Sequence, residues 1–424
     1  MRFVSFLGLF VLVGLAWLMS ENRRQFPVRV VLWGITLQLA FGLVVLSPAA
    51  QAFFFVWVDG AVKQLLSFSE LGADFAFQTV EPHKIMNSDG TMTFYAGHIS
   101  PPMKTFAFWI LPSIIFFSSL MAVSYHIGLM QRVVQAMAWV MQRSMKTSGA
   151  ETLSTAANVF LGQTEAPLLI KPFVARMTRS ELFCIMLGGF ANTAGGVLAA
   201  YVSFLRDIPG IAGHLVTSSI LSAPATLVIA KIMIPEREVP VTSSSLVMND
   251  VRPDRNVMAA AARGASDGVS LAINVAAMLI AFVALVGMID WCIGLVPFLG
   301  EPLSLARVLG WGFTPLAFAM GVPWSEAGVV GKLLGEKMVL TEFIAYIHLG
   351  ELMKSDHPLS ERSAVIASYA LCGFANFASI GIQLGGIGGL APSRTDELAE
   401  LALKAMIGGS FATFMTACVA GLML

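Results

Sequence analysis

The stretch Asn158-Val-Phe-Leu-Gly-Gln-Thr-Glu-Ala-Pro-Leu-Leu-Ile-Lys-Pro-Phe173 decides how the chain is read. It sets Asn158, Gln163, Thr164 and Glu165 beside a glycine and a proline, between apolar flanks. A carboxylate at the centre of a bilayer helix costs about 2.5–3.5 kcal/mol on insertion scales, so Glu165 is expected to face a wet cavity or a ligand. Gly162 and Pro167 open the backbone at the same place, where carbonyls and amides can be offered to a solute.

Outward from that stretch the chain is apolar. Its 424 residues are 56% hydrophobic and 12% charged, with a mean hydropathy of +0.77, whereas soluble domains are about a quarter charged. An all-α polytopic membrane protein is expected. Net charge is zero, which leaves no basic face for nucleic acid. Cys184, Cys292, Cys372 and Cys418 lie in apolar stretches without a CxxC or a Cys/His cluster, so they read as packing residues and not as disulfides or a zinc site. No HExxH and no His/Cys cluster occurs, and His348 and His357 read as loop or helix-end residues, so no enzyme is indicated.

Apolar runs of crossing length, about 20 residues, fall near 2–20, 28–48, 105–126, 181–203, 210–234, 268–298, 362–390 and 398–424. They predict eight transmembrane helices. The first run lacks a small-x-small cleavage site before Arg23 and Arg24, so it reads as a retained span. Cations after spans one, three and five put those loops in the cytoplasm and both termini outside. Residues 49–104 read as an interfacial helix followed by an external loop, 128–146 as an amphipathic surface helix, and 236–264 as a solvated connector.

Two segments are too short to cross twice, 150–178 and 303–336, and each reads as a re-entrant helical hairpin. The second carries Gly321-Val-Pro-Trp-Ser-Glu326-Ala at its middle. Each hairpin has a Glu-Ala pair, at Glu165 and Glu326, and each is followed by a span with Gly-Phe-Ala-Asn, ending at Asn192 and Asn376. The two units run in opposite directions, an inverted repeat of the kind that secondary transporters use for alternating access. Gln163, Thr164, Glu165 and Glu326, with Asn376 and Ser379 on one face of span seven, offer amide, hydroxyl and carboxylate groups. With Lys171 the one nearby cation, this suits a neutral, hydroxyl-rich solute better than an organic anion or amino acid. Phe374 would wall a flat ring.

At these residues the chain resembles the concentrative nucleoside transporter family, of the bacterial sodium-coupled type. The resemblance runs through most of the chain and is most specific at Gly162-Gln-Thr-Glu-Ala-Pro-Leu168, Gly321-Val-Pro-Trp-Ser-Glu-Ala327, Thr341-Glu-Phe-Ile-Ala-Tyr346 and Gly373-Phe-Ala-Asn-Phe-Ala-Ser-Ile380. It implies a homotrimer in the bacterial inner membrane, importing nucleosides such as uridine or adenosine, with no cofactor beyond sodium as the coupling ion. It implies scaffold spans 1–3 with an interfacial helix over 1–127, a first transport repeat over 128–235, a cytoplasmic linker and scaffold span 6 over 236–300, and a second transport repeat over 301–424.

By motif position, the resemblance implies that Gln163 and Thr164 contact the nucleobase, with Glu165 nearby. Glu326, Asn376 and Ser379 would hold ribose hydroxyls, and Phe374 and Val197 would pack on the solute. Sodium would lie among Asn158, the Leu161 carbonyl, Asn192 and the Thr193 carbonyl, oxygen donors that suit a hard cation. Sodium-coupled relatives carry Ser-Ile where this chain has Asn192-Thr193, which keeps proton coupling as the alternative. Glu342 has no role in this reading.

Overall fold

The computed structural model describes residues 1–47, 51–77, 80–86, 90, 92–99, 105–243, 254–295, 297–298 and 301–424. The remaining parts of the expected external loop and of the 236–264 connector lie outside the described residues.

Among the described residues, six helical segments have the length and composition to cross a membrane: Val28–Val45, Phe106–His126, Arg179–Phe204, Ile211–Met233, Val257–Gly294 and Pro392–Met423. Arg2–Leu18, Leu305–Ala319 and Phe377–Leu390 are shorter apolar helices. Each predicted apolar run coincides with one of these segments, with two refinements. The run at 181–203 is two helices, Arg179–Ala191 and Gly195–Phe204. The run at 362–390 is likewise Glu361–Leu371 and Phe377–Leu390.

The fold is helical as expected, with two short antiparallel ribbons added among the described residues. Val80–Met86 pairs with Met92–Ile99, and Pro297–Phe298 with Glu301–Pro302. The first contains an Asp-Gly step whose Gly90 has φ 78°, the left-handed geometry that a tight strand connection requires. The helix predicted near the start of that region is Val56–Phe77. The amphipathic helix is Leu129–Met145, which exposes Leu129, Val133 and Val140 and buries Val134 and Met141.

Side-chain contacts define two ends of the bundle. At the terminal end, Arg2 donates to the Leu424 carbonyl (2.8 Å), Ser5 to Met320 (2.9 Å) and Arg362 to Gly321 (3.3 Å). At the opposite end, Glu21 pairs with Arg179 (3.2 Å) and Lys404 (3.3 Å). The buried Lys231 there pairs with Glu151 (2.7 Å) and Glu236 (3.1 Å).

Helix Gly149–Asn158 starts at the opposite end. Ser148 caps it in a capping box with Glu151, and Ser148 Oγ also donates to Glu181 (2.5 Å) of the box that starts Arg179–Ala191. These reciprocal bonds satisfy the orphan amides of two adjacent helix starts. The chain turns through 159–165 and returns by Ala166–Ile170 and Lys171–Val174, with Pro167 and Pro172 in first-turn positions where a missing N–H costs nothing.

The second hairpin begins at the terminal end, and its boundaries differ from those predicted. Trp324–Val339 starts beside Ser360, the cap of Glu361–Leu371, because Glu326 accepts from Ser360 N (3.2 Å) and Oγ (2.8 Å). It runs inward until Lys337 meets the Ala370 carbonyl (2.9 Å). The chain breaks at Leu340-Thr341, and Glu342–Met353 returns to the terminal end, where Lys354 pairs with Asp207 (3.5 Å). Leu305–Ala319 lies antiparallel to Trp324–Val339, with the turn at Gly321 (φ 101°) at the terminal end. The inward tip is therefore Thr341-Glu342, which matches Thr164-Glu165 of the first hairpin. Glu326 is instead the counterpart of Glu151: both start the inward helix beside the cap of the next broken span.

Arg179–Phe204, Ile211–Met233 and Pro392–Met423 are almost wholly buried, whereas Val28–Val45, Phe106–His126 and Val257–Gly294 keep most of their surface exposed. A helix apolar on every side must meet either protein or lipid. The buried set forms a core around the two breaks.

Candidate substrate and cation site

The two interrupted spans cross at their gaps. Asn192, Thr193 and Ala194 leave the helix, Asn192 in an extended conformation (φ −121°, ψ 162°), and Phe374 N donates to the Asn192 carbonyl (3.4 Å). A Cβ on Gly373 would lie 2.7 Å from the Phe190 carbonyl oxygen, so only a glycine permits this approach. Freed backbone of this kind persists at membrane depth where protein or a ligand satisfies it.

Asn376 restarts the second gap's helix. Its Oδ1 accepts from Ser379 N (2.8 Å), an N-cap. The relation between Asn376 and Ser379 is thus a cap and its third residue, not two side chains on one helical face. Asn376 Nδ2 donates to Glu342 Oε2 (2.8 Å), and Tyr201 OH donates to Glu342 Oε1 (2.9 Å). Tyr201 stacks on Tyr346 with ring centroids 4.4 Å apart. Glu342 is 2% exposed. A buried carboxylate with two donors in place keeps lone pairs free for a further donor. Val197 is buried one turn before Tyr201, and Phe374 is half-buried at the gap.

The first hairpin's tip leans on the restarted helix. Gln383 Nε2 donates to Gln163 Oε1 (3.2 Å) and to the Met186 carbonyl (3.0 Å), while Thr164 packs its methyl against Gly386. Glu165 accepts from Gly162 N (3.1 Å), keeps exposed surface, and has Tyr125, Arg263 and Asp267 as electrostatic neighbours.

The structure thus joins Gln163 and Thr164 to the restarted helix, and Val197, Phe374, Asn376 and Ser379 to the junction. It does not bring Glu326 there. Glu326 holds Ser360, the N-cap of Glu361–Leu371, whereas Asn376 lies beyond that helix's far end, about 16 Å away at 1.5 Å per residue. Sequence reasoning missed Glu342, Tyr201 and Gln383. The signal for Glu342 was present in the Thr-Glu step shared with Thr164-Glu165.

The predicted cation ligands converge on the first gap. Oriented to satisfy both neighbours, the Asn158 amide donates to the Gly162 carbonyl (3.2 Å) and accepts from Gly189 N (3.1 Å). Asn192 Nδ2 donates to Gly188 (3.1 Å), and its Oδ1 accepts from Ser222 Oγ. Among the described residues the Leu161 and Thr193 carbonyls accept no hydrogen bond, and the buried Thr226 Oγ1 beside Asn158 has no partner. Orphaned oxygens in an all-oxygen set fit a hard monovalent cation, and Asn158, Asn192 and the two carbonyls would hold it.

Family models agree with this architecture. Residues 7–80 match the "Na+ dependent nucleoside transporter N-terminus", 107–207 "Nucleoside recognition", and 214–421 the "Na+ dependent nucleoside transporter C-terminus". The uncharacterized transporter YutK of Bacillus subtilis is 40% identical over 99% of this chain and 98% of its own length. Mouse solute carrier family 28 member 3 is 39% identical over 99% of this chain, which spans 58% of that protein's length. Rat sodium/nucleoside cotransporter 1 is 38% identical, and the chain spans 64% of it. The solved structure of CNTnw in an inward-facing substrate-bound state superimposes with a TM-score of 0.86 at 40% identity, covering 99% and 97% of the two chains. CNTnw structures in outward-facing and intermediate states match comparably. These relatives are transporters, not enzymes, and the chain belongs to the concentrative, Na+-dependent nucleoside transporter family.

Proposed function

We propose that the chain is a sodium-driven nucleoside symporter of the bacterial inner membrane, importing uridine- or adenosine-like solutes by alternating access. The observation that carries this reading is the buried Glu342 carboxylate, held by Tyr201 and Asn376 where the two gaps cross. Glu342, Asn376 and Ser379 hold ribose hydroxyls. Gln163 and Thr164 face the base, with Glu165 beside them, and Val197 and Phe374 pack on the rings. The tip of one hairpin and the tip of the other approach this pocket from opposite ends, so exposing either tip opens the pocket to one side.

Asn158, Leu161, Asn192 and Thr193 bind the coupling cation. Its site and the Phe374–Asn192 contact share one stretch of backbone, so ordering that stretch by one solute favours the other. The well-buried helices and both hairpins form the moving body, and spans one to three with Val257–Gly294 form the scaffold of a trimer. In support, Val257–Gly294 exposes Ile273, Ile280 and Trp291 along its length. One charge moving down 100 mV releases about 2.3 kcal/mol, about fiftyfold accumulation before any ion gradient.

Uptake of labelled uridine into proteoliposomes, with the sodium gradient and voltage set separately, tests the reading. Accumulation is expected with inward sodium and an inside-negative voltage. Accumulation that follows a proton gradient and ignores sodium overturns the ion; absence of competition by either uridine or adenosine overturns the solute.

A further inference from the structure

Lys337 is a buried cation that the transport scheme leaves unused. It is 2% exposed, and its ammonium donates to the Ala370 carbonyl (2.9 Å) and Thr413 Oγ1 (3.4 Å). Among the described residues it forms no ion pair within 4 Å. Glu342 is its electrostatic neighbour without touching it, and a buried ammonium with no contact ion pair costs several kcal/mol unless oxygen atoms replace its water. Its presence therefore calls for a role that a leucine could not fill.

The inverted repeat supplies one. In the first repeat, the inward hairpin helix, the leading half of the broken span and the long helix after it meet in a corner. That corner holds Asn158 at the end of Gly149–Asn158, Gly188 in Arg179–Ala191 and Thr226 in Ile211–Met233; a Cβ on Gly188 would lie 3.3 Å from Asn158 and 3.4 Å from Thr226. In the second repeat the same three elements are Trp324–Val339, Glu361–Leu371 and Thr395–Met423. Their corner holds Lys337, Ala370 and Thr413. The two corners differ in one respect. Thr226 Oγ1 is buried without a partner, whereas Thr413 Oγ1 accepts from the lysine. Backbone carbonyl and threonine hydroxyl oxygens can ligate a small monovalent cation, and an ammonium donates hydrogen bonds to the same lone pairs.

We propose that Lys337 is a covalently attached cation, standing in the second repeat where the first takes its sodium ion. The chain then couples to a single exchangeable cation per cycle because its second cation corner is already filled. The proposal rests on the cation-coupled reading above.

The test measures thermal stabilisation of the purified full chain by sodium alone, then sodium-dependent uridine binding, for the wild type and for Lys337→Asn, Lys337→Gln and Lys337→Met. Wild-type binding is expected to follow sodium with a Hill coefficient of about one, rising toward about two in the Asn and Gln variants, whose oxygens can join a second ion. Those two variants should also be weakened at low sodium and recover at high sodium. Lys337→Met, with no oxygen, should show no such recovery. If neither Asn nor Gln gains sodium response over the wild type, the proposal is overturned. A wild-type chain that binds uridine but ignores sodium removes the cation-coupled reading, and the proposal with it.

Discussion

Two glutamates that look alike in the sequence separate by what surrounds them. Glu342 is buried with Tyr201 and Asn376 as donors, and Glu326 is half-exposed and accepts from Ser360, the cap of Glu361–Leu371. Glu342→Gln should weaken uridine binding about 10- to 150-fold by calorimetry, the equivalent of one charge-assisted hydrogen bond at 1.5–3 kcal/mol. Glu326→Gln should leave binding within a few-fold and lower thermal stability by about 1 kcal/mol, as weakening of a hydrogen bond does. A reversed pattern would return Glu326 to the pocket. Asn158→Ala removes one oxygen and the bond to Gly189 N. It should raise the sodium needed for half-maximal binding while uridine affinity at saturating sodium stays close to wild type.

At the scale of elements, much of the helix order could be read directly, because long apolar runs and capping residues are local signals. The first hairpin's tip was legible for the same reason: Gly162 and Pro167 flank its polar residues. The second misled because Gly321 and Pro323 mark a turn at the terminal end, whereas the inward break at Leu340-Thr341 carries neither residue. The gaps in the two Gly-Phe-Ala-Asn spans were also hidden, since hydropathy runs unbroken across backbone that tertiary contacts pull out of the helix. Those gaps make their own prediction. A Cβ at Gly373 would stand 2.7 Å from the Phe190 carbonyl and 2.8 Å from Thr413 Cγ2, so Gly373→Ala should cost about 1–3 kcal/mol by overpacking. Unfolding of the detergent-solubilised variant measures it, and an unchanged midpoint would show that the crossing has slack.

Over the whole molecule, transport by the proposed mechanism requires the core to move against the exposed helices, and one contact between them is poorly satisfied. Val28–Val45 buries a single stripe, with Gly34, Gln38 and Gly42 at its centre. Gly34 approaches Pro224 and Val228, and Gly42 approaches Val419, the close packing that small residues allow between membrane helices. Gln38, fully buried between them, has no partner for either its amide nitrogen or its oxygen. An unmet polar group costs about 1–3 kcal/mol, so this facing state is held less tightly than an apolar stripe would hold it. Gln38→Met keeps the shape and removes both unmet groups. The variant should unfold at higher temperature and bind uridine with near-wild-type affinity, yet take it up more slowly, because the extra stability must be given up whenever the core slides past this stripe. A variant that is more stable and transports at the wild-type rate would place the moving boundary elsewhere than along Val28–Val45.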